Sequence, residues 1–484
     1  MPLASVGGHH MGAHYELVKG EEKDPHSNEM DSHSHVISIT PLTDASKPRR
    51  LLSLDVFRGL TVALMIFVDD IGGLIPAINH SPWDGVTLAD FVMPFFLFIV
   101  GVSLGLTYKM ALFHGLVATR KAVLRALKLF ILGVVLQGGY FHGLNDLTYG
   151  IDIQRLRLMG TLQRIAIAYL IVALCEIWLK RDDAITSKLS SLKKYQYQWV
   201  LAFVLTAIYM ALLYALYVPD WDYQISSVGF SGPNAFSVKC GVRGDTSPGC
   251  NSVGMVDRKI LGIQHLYMRP GYRRTKQCSI DSPDNGSLPP DAPSWCQAPF
   301  DPEGILSSVM AIVTCLIGLH YGHIIVHFKD HKDRILHWAI PATSLAFMGF
   351  SLDLLGLHVN KNLYSLSYTC LTAGVAGLLF AGVYILVDVC GCKRPTLFLE
   401  WMGKHALMLY ILAACNILPM FLHGFYWQKP QNNIIFVCRP QSGRKECWQT
   451  GKREKKQFLE SFLAPLVYAD ACIASLTASI SAEA

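Results

Sequence analysis

Residues 364–387 run without a single charge, and that one feature removes most of the folds open to a chain of this size. A helix rises 1.5 Å per residue, so about 20 apolar residues cross a hydrocarbon core roughly 30 Å thick. Lipid offers the backbone no hydrogen-bonding partner, which leaves helices and closed barrels as the spanning structures. A barrel strand needs only about ten residues of alternating polarity, and this run does not alternate. The stretch 199–218 is equally free of charge. Spans of the same kind fall near 52–73, 89–108, 122–140, 159–179, 199–218, 305–328, 335–355, 364–387 and 397–422. The expected fold is therefore all-α: a polytopic transmembrane helical bundle of about nine to ten spans, with one disulfide-containing extracytoplasmic loop. Composition agrees, since charged residues make up 16% of the chain against roughly 25% in soluble domains.

Basic residues set the orientation, because cytosolic loops hold the excess of Lys and Arg. Lys47, Arg49 and Arg50 precede the first span, Lys109, Arg120 and Lys121 follow the second, and Lys180, Arg181, Lys188, Lys193 and Lys194 follow the fourth. Lys329, Lys332, Arg334, Lys393 and Arg394 continue the alternation. The amino terminus is thus expected in the cytosol, and the net charge of +6 reflects membrane anchors rather than a nucleic-acid surface. Residues 1–50 are polar, carry six histidines and lack the apolar core of a signal peptide; they read as a disordered cytosolic tail. The transmembrane domain then covers 51–422, with 219–304 as a lumenal loop. Residues 423–484 form an atypical basic tail, whose cations run against the charge rule on the lumenal side.

Charges inside spans are expensive and mark function by default. The segment 51–108 concentrates them: Asp55, Arg58, Asp69, Asp70, His80, Asp84 and Asp90. His80 lies in the first extracytoplasmic loop, where an imidazole titrating near neutrality is suited to act as base or nucleophile. Asp55 and Arg58, three apart, share a helical face and read equally as a bundle-holding pair or a cofactor contact. The 219–304 loop contains Cys240, Cys250, Cys278 and Cys296, an even set that in an oxidising lumen implies two disulfides of open pairing. It also contains Asn285-Gly286-Ser287, a glycosylation acceptor pattern. His320, His323 and His327 share a helix face, but three imidazoles from one helix rarely converge on a metal, so no metal is expected.

Five blocks carry a family resemblance: SLDVFRG (53–59), NHSPWDGVTLADFVMPFFLFIVG (79–101), LQRIAIAY (162–169), DRKILGIQHLY (257–267) and FDPEGIL (300–306). In this order they resemble the heparan-alpha-glucosaminide N-acetyltransferase family of polytopic membrane enzymes. The resemblance implies transfer of an acetyl group from acetyl-CoA, as co-substrate, to an amine acceptor such as the terminal glucosamine of a glycan. His80 matches the family's catalytic histidine. Asp69 stands where the family enzyme has asparagine, and is read here as the residue orienting His80, with Asp84 and Asp90 as alternative partners or acceptor contacts. Gln163 and Arg164, opening the fourth span, are expected to meet the CoA phosphates or acceptor charge. Asp301 and Glu303 fall on the His80 side and suit an acceptor amine; Asp257 and His265 are weaker candidates of the same kind. Membrane lipid is a partner by construction, and a homo-oligomer is compatible with this reading. A lysosomal, vacuolar or other endomembrane location is expected. The alternative is a multi-pass transporter whose buried charges line a substrate path. The lack of visible repeat halves and the surroundings of His80 favour the enzyme.

Overall fold

The computed structural model describes residues 51–72, 75, 78–108, 115–137, 156–179, 194–225 and 234–415. The two tails, 1–50 and 423–484, lie outside them. The helices are α1 (Leu52–Ile71), α2 (Val92–Thr107), α3 (Gly115–Gln137), α4 (Thr161–Trp178) and α5 (Gln196–Ala215). They continue as α6 (Ser252–Leu261), α7 (Ile305–His327), α8 (His331–Leu354), α9 (Leu366–Tyr384), α10 (Lys393–Lys404) and α11 (Ala406–Ala414). A 3-10 turn at Leu88–Phe91 leads into α2.

Among the described residues six helices are long and apolar enough to cross a membrane, or up to seven if α10 and α11 count as one broken span. The expected count of nine to ten is therefore not reached on length and composition. The physical reason lies in α1 and α3, which are helical where spans were expected but carry Asp55, Arg58, Asp69 and Asp70, and Arg120, Lys121, Arg125 and Lys128. Four of these charges, Arg58, Asp69, Arg125 and Lys128, face an interior cavity, the setting in which a charge within a bundle is tolerated. The last expected span, 397–422, is also redrawn. Its described part begins at Lys393 and bends by 67° between α10 and α11.

Helix ends sort into two groups. At one end Asp84 pairs with Asn360 as an isolated bridge, Arg274 reaches His80 and Arg157 reaches Asp301. At the other, Ser53 N–H donates to Asp388, Tyr195 meets His327, and Arg334 donates to Tyr384. Successive helices thus alternate in direction, as a chain threading back and forth requires.

Small residues set the tightest crossing. α2 carries Gly101 and Gly105 and α7 carries Gly318 and Gly322, each pair four apart. A Cβ on Gly101 would lie 2.0 Å from the Cys315 carbonyl oxygen, and one on Gly318 2.2 Å from that of Phe98. Only glycine lets the two backbones approach so closely, the small-xxx-small arrangement of membrane helix pairs. Around this crossing Phe57, Phe98, Tyr321, Trp338, Phe380 and Tyr384 form the buried aromatic core. Phe98 sits edge-on to Tyr321 at 4.9 Å, a geometry that adds to simple burial.

The long loop between α5 and α7 is folded. Its strands β1 (Trp221–Ile225) and β2 (Asn234–Val238) pair antiparallel, Trp221 opposite Val238, a two-stranded addition to a fold that is otherwise helical as expected. β1 alternates apolar and polar residues from Trp221 to Ile225, and Tyr223 stacks on its cross-strand partner Phe236 at 5.4 Å. The disulfides are Cys240–Cys250 and Cys278–Cys296. Trp83 anchors the first loop onto this layer, packed edge-on to Tyr272 and Phe300 at 5.7 and 5.5 Å.

Candidate active site

Thr87-Leu-Ala-Asp90 is a capping box, with the Thr87 side chain and the Asp90 side chain each satisfying the other's backbone N–H. That local geometry fixes the Asp90 carboxylate. Its Oδ2 accepts from Ser81 N at 3.1 Å, Thr87 N at 3.0 Å and Thr87 Oγ1 at 3.0 Å. Oδ1 is then left for His80 Nδ1, 2.8 Å away. Asp90 is wholly buried, so an ionised carboxylate there requires such donors. With Nδ1–H donating to Asp90, the Nε2 lone pair of His80 faces the cavity, where the Lys361 ammonium lies 3.3 Å away.

His80 is positioned from the backbone as well. Its N–H donates to Asn79 Oδ1 at 2.8 Å and its carbonyl accepts from Arg274 Nη2 at 2.6 Å. The imidazole is 41% exposed, yet the space it meets is an internal cavity, so it is accessible while protein surrounds it. Burial lowers the imidazole pKa and the Lys361 ammonium lowers it further, against the opposing pull of Asp90 and Glu303. The net direction favours a neutral ring, the form needed by a base or nucleophile.

The cavity holds about 840 Å³. It follows the 3-10 turn and α2 from Ala89 to Thr107, roughly 27 Å at 1.5 Å per residue, close to the hydrocarbon thickness of a bilayer. His80, Glu303 and Lys361 line it beside the start of α2, and Arg58 lines it beside Ser103 toward the end of α2, with Arg125, Lys128 and Lys404 also in the lining. A second recess of about 610 Å³ opens on the far side of His80, lined by Tyr267, Arg269, Arg273, Arg274 and Lys361 among others. His80 and Lys361 stand at the junction of the two.

The remaining sequence candidates fall into place around this centre. Asp69 lines the same cavity, but it is Asp90 that accepts the hydrogen bond from His80 Nδ1, which corrects the expected partner. The capping box outweighs proximity in sequence here: it aims one carboxylate at the ring. Arg58 also lines the cavity, and donates to Asp55 Oδ1 at 3.0 Å and Ser103 Oγ at 3.1 Å. Gln163 and Arg164 are buried and are not part of the lining. Arg164 donates to the Pro302 carbonyl at 2.5 Å and to Ser307 Oγ, clasping α4 to the start of α7. The expectation of a phosphate contact there gives way to that structural role. Asp84 is exposed and accepts from Asn360 Nδ2 at 3.2 Å, tying two loops together.

Asp301 and Glu303 share Arg157, whose guanidinium donates to Asp301 at 2.9 and 2.6 Å and to Glu303 at 2.6 Å. Burial alone would raise the Glu303 pKa, but Arg157, Arg164 and Lys361 outweigh it and hold the carboxyl at about 2. Of the two acids Glu303 reaches the cavity; Asp301 anchors the turn. Asp257 accepts from the Ile305 N–H at 2.8 Å and caps α7, and burial pushes its carboxyl up to about 7. His265 Nδ1–H donates to the Leu156 carbonyl at 2.7 Å. Asn285 is exposed beside the second recess. No group of three metal-ligating side chains occurs among the described residues. His323 instead pairs with Glu176 at 2.9 Å. Lys361, which no sequence pattern singles out, is the addition.

Fold and centre together define a polytopic helical membrane protein with a His–Asp–Lys cluster at one end of a bundle-long cavity. Residues 50–214 match the family model described as heparan-alpha-glucosaminide N-acetyltransferase, catalytic. The mouse heparan-alpha-glucosaminide N-acetyltransferase is 29% identical over 391 residues, 77% of this chain and 54% of the relative. The human protein of the same name is 28% identical over 384 residues, 75% and 52% respectively. Over these residues the chain is similar to heparan-alpha-glucosaminide N-acetyltransferases. It spans about half the length of the curated relatives it matches.

Proposed function

We propose that the protein is a membrane acetyltransferase that moves an acetyl group from acetyl-CoA to an amine acceptor such as a terminal glucosamine of a glycan. The observation that carries this reading is the cavity, whose lining holds the His80 centre together with the cations Arg58, Arg125, Lys128 and Lys404. Arg58, Arg125, Lys128 and Lys404 suit the phosphates of CoA. The thioester then extends toward His80, and the acceptor enters through the recess beside Tyr267 and Arg274.

His80 serves as base for the amine or as the first acetyl acceptor, with Asp90 fixing its tautomer. Glu303, held anionic, attracts the acceptor's ammonium form and lies within the cavity where the proton must be lost. The basic flanks support a cytosolic amino terminus, which puts His80, Asn285 and the disulfide layer on the lumenal side of a lysosomal, vacuolar or other endomembrane. On that arrangement Asn285 carries a glycan.

The test is release of CoA and formation of acetylated amine when purified protein meets acetyl-CoA and a panel of amino sugars. Wild type is expected to turn over, and His80→Ala to lose activity by about 10²-fold or more while keeping its elution profile in detergent. Near-normal turnover by His80→Ala would contradict the assignment.

A further inference from the structure

Each arginine at the centre is committed to a structural partner. Arg274 is held by the His80 carbonyl, Arg157 by Asp301 and Glu303, and Arg164 by Pro302 and Ser307. Lys361 differs. Its Nζ lies 2.8 Å from Nδ1 and 3.3 Å from Nε2 of His80, and 3.5 Å from Asp90 Oδ1. The ammonium is thus placed against the imidazole itself, and its carboxylate contact is looser than the 2.6 Å pairs of Arg157. It is 16% exposed and lines both cavities. A lysine is a point charge on a flexible four-carbon stem, so small stem rotations carry Nζ from the ring to a group bound beside it.

We infer that Lys361 stabilises the oxyanion of the acetyl transfer, its ammonium passing from the imidazole to the carbonyl oxygen as the tetrahedral adduct forms. The inference rests on the acetyl-transfer reading above. The amine nitrogen attacks the thioester carbon, the C–N bond forms, and the carbonyl π pair moves to oxygen, where Lys361 donates. His80 Nε2 takes the amine proton. Collapse restores the C=O bond, breaks C–S, and the departing thiolate takes the proton from the imidazolium. If the imidazole attacks first, the same oxygen bears the same charge. A cation positioned in advance beside the developing charge is the arrangement that favours it.

The second consequence concerns the resting ring. The charges facing His80 are Asp90 from the turn before α2, Lys361 from the loop between α8 and α9, Glu303 from the turn before α7, Arg274 on the backbone carbonyl, and Asp69 from α1 across the cavity. Removing Lys361 takes away the cation nearest the imidazole and leaves Asp90 against the ring, so the ring protonates at higher pH.

The test compares full-length wild type, Lys361→Met, Lys361→Arg and His80→Ala in detergent. Lys361→Met is expected to lose about 10²- to 10³-fold in kcat, with little change in KM for acetyl-CoA, and its acid limb moves to higher pH. Lys361→Arg recovers part of the loss because it keeps the charge. Carbethoxylation of His80, followed by mass spectrometry against pH, reads the ring without activity and moves the same way. A merely structural lysine would lower stability without shifting either pH profile. Near-normal kcat in Lys361→Met beside an inactive His80→Ala overturns this inference alone. A wild type that transfers no acetyl group overturns the parent reading and this with it.

Discussion

At the scale of single residues, the chemistry depends on which side chain holds the His80 ring. Asp90 accepts from Nδ1 and from three other donors, so Asp90→Asn removes both the charge and the fixed acceptor. The variant is expected to lose about 10²-fold or more in kcat. Its acid limb moves to lower pH, since Asp90 is the group that raises the ring's pKa and a neutral ring is the active form. This direction is opposite to that of Lys361→Met, and a pH–rate profile separates the two; limbs moving together would refute the assigned roles. His80 was legible because an imidazole in a span-flanking loop and the SPWDG block both point to it. Asp90 was visible only as one of three acids, because a Thr-x-x-Asp capping box predicts helix entry and not where the spare oxygen points. Lys361 lies 281 residues from His80 in a loop whose sequence carries no mark of contact, and the pairing of Asp84 with Asn360, with Gly85 N–H donating to the Val359 carbonyl, brings it in.

At the scale of elements, apolar runs located the helices well, because membrane length and absence of charge are nearly sufficient signals. They located the bend between α10 and α11 poorly. The 393–404 segment mixes Lys393, Arg394, Glu400 and Lys404 with apolar residues, and the break at His405 follows from packing: a Cβ on Gly403 would lie 1.8 Å from the Asp55 carbonyl oxygen of α1. The β1–β2 pairing was equally unforeseen, being two strands of five residues each within a long loop. The α2–α7 crossing supplies the prediction at this scale. In Gly318→Val the Cβ alone would lie 2.2 Å from the Phe98 carbonyl oxygen, and two methyl groups follow it, so the helices must part. Overpacking of this kind costs about 1–3 kcal/mol or more. The expected result is a lower melting temperature in detergent together with lost activity, since α2 carries the cavity wall. An unchanged melting temperature would show that the crossing is not as tight as described.

At the scale of the whole molecule, the proposed reaction needs one cavity to link two sides of a membrane, with His80 working at its far end. The alternation of helix ends was partly foreseen from the Lys and Arg flanks. The continuity of the space between them was not, because the cavity is shared by α1, α2, α3, α4, α10 and α11, and no single segment records it. The direct measurement uses sealed vesicles of purified protein, with acetyl-CoA supplied only on the face where α1 begins and α2 ends and the amine acceptor only on the face bearing His80. Acetylated acceptor is expected on the His80 face, with free CoA appearing on the opposite face and none crossing. Product formed only when acetyl-CoA and acceptor share a face would contradict transfer through the cavity.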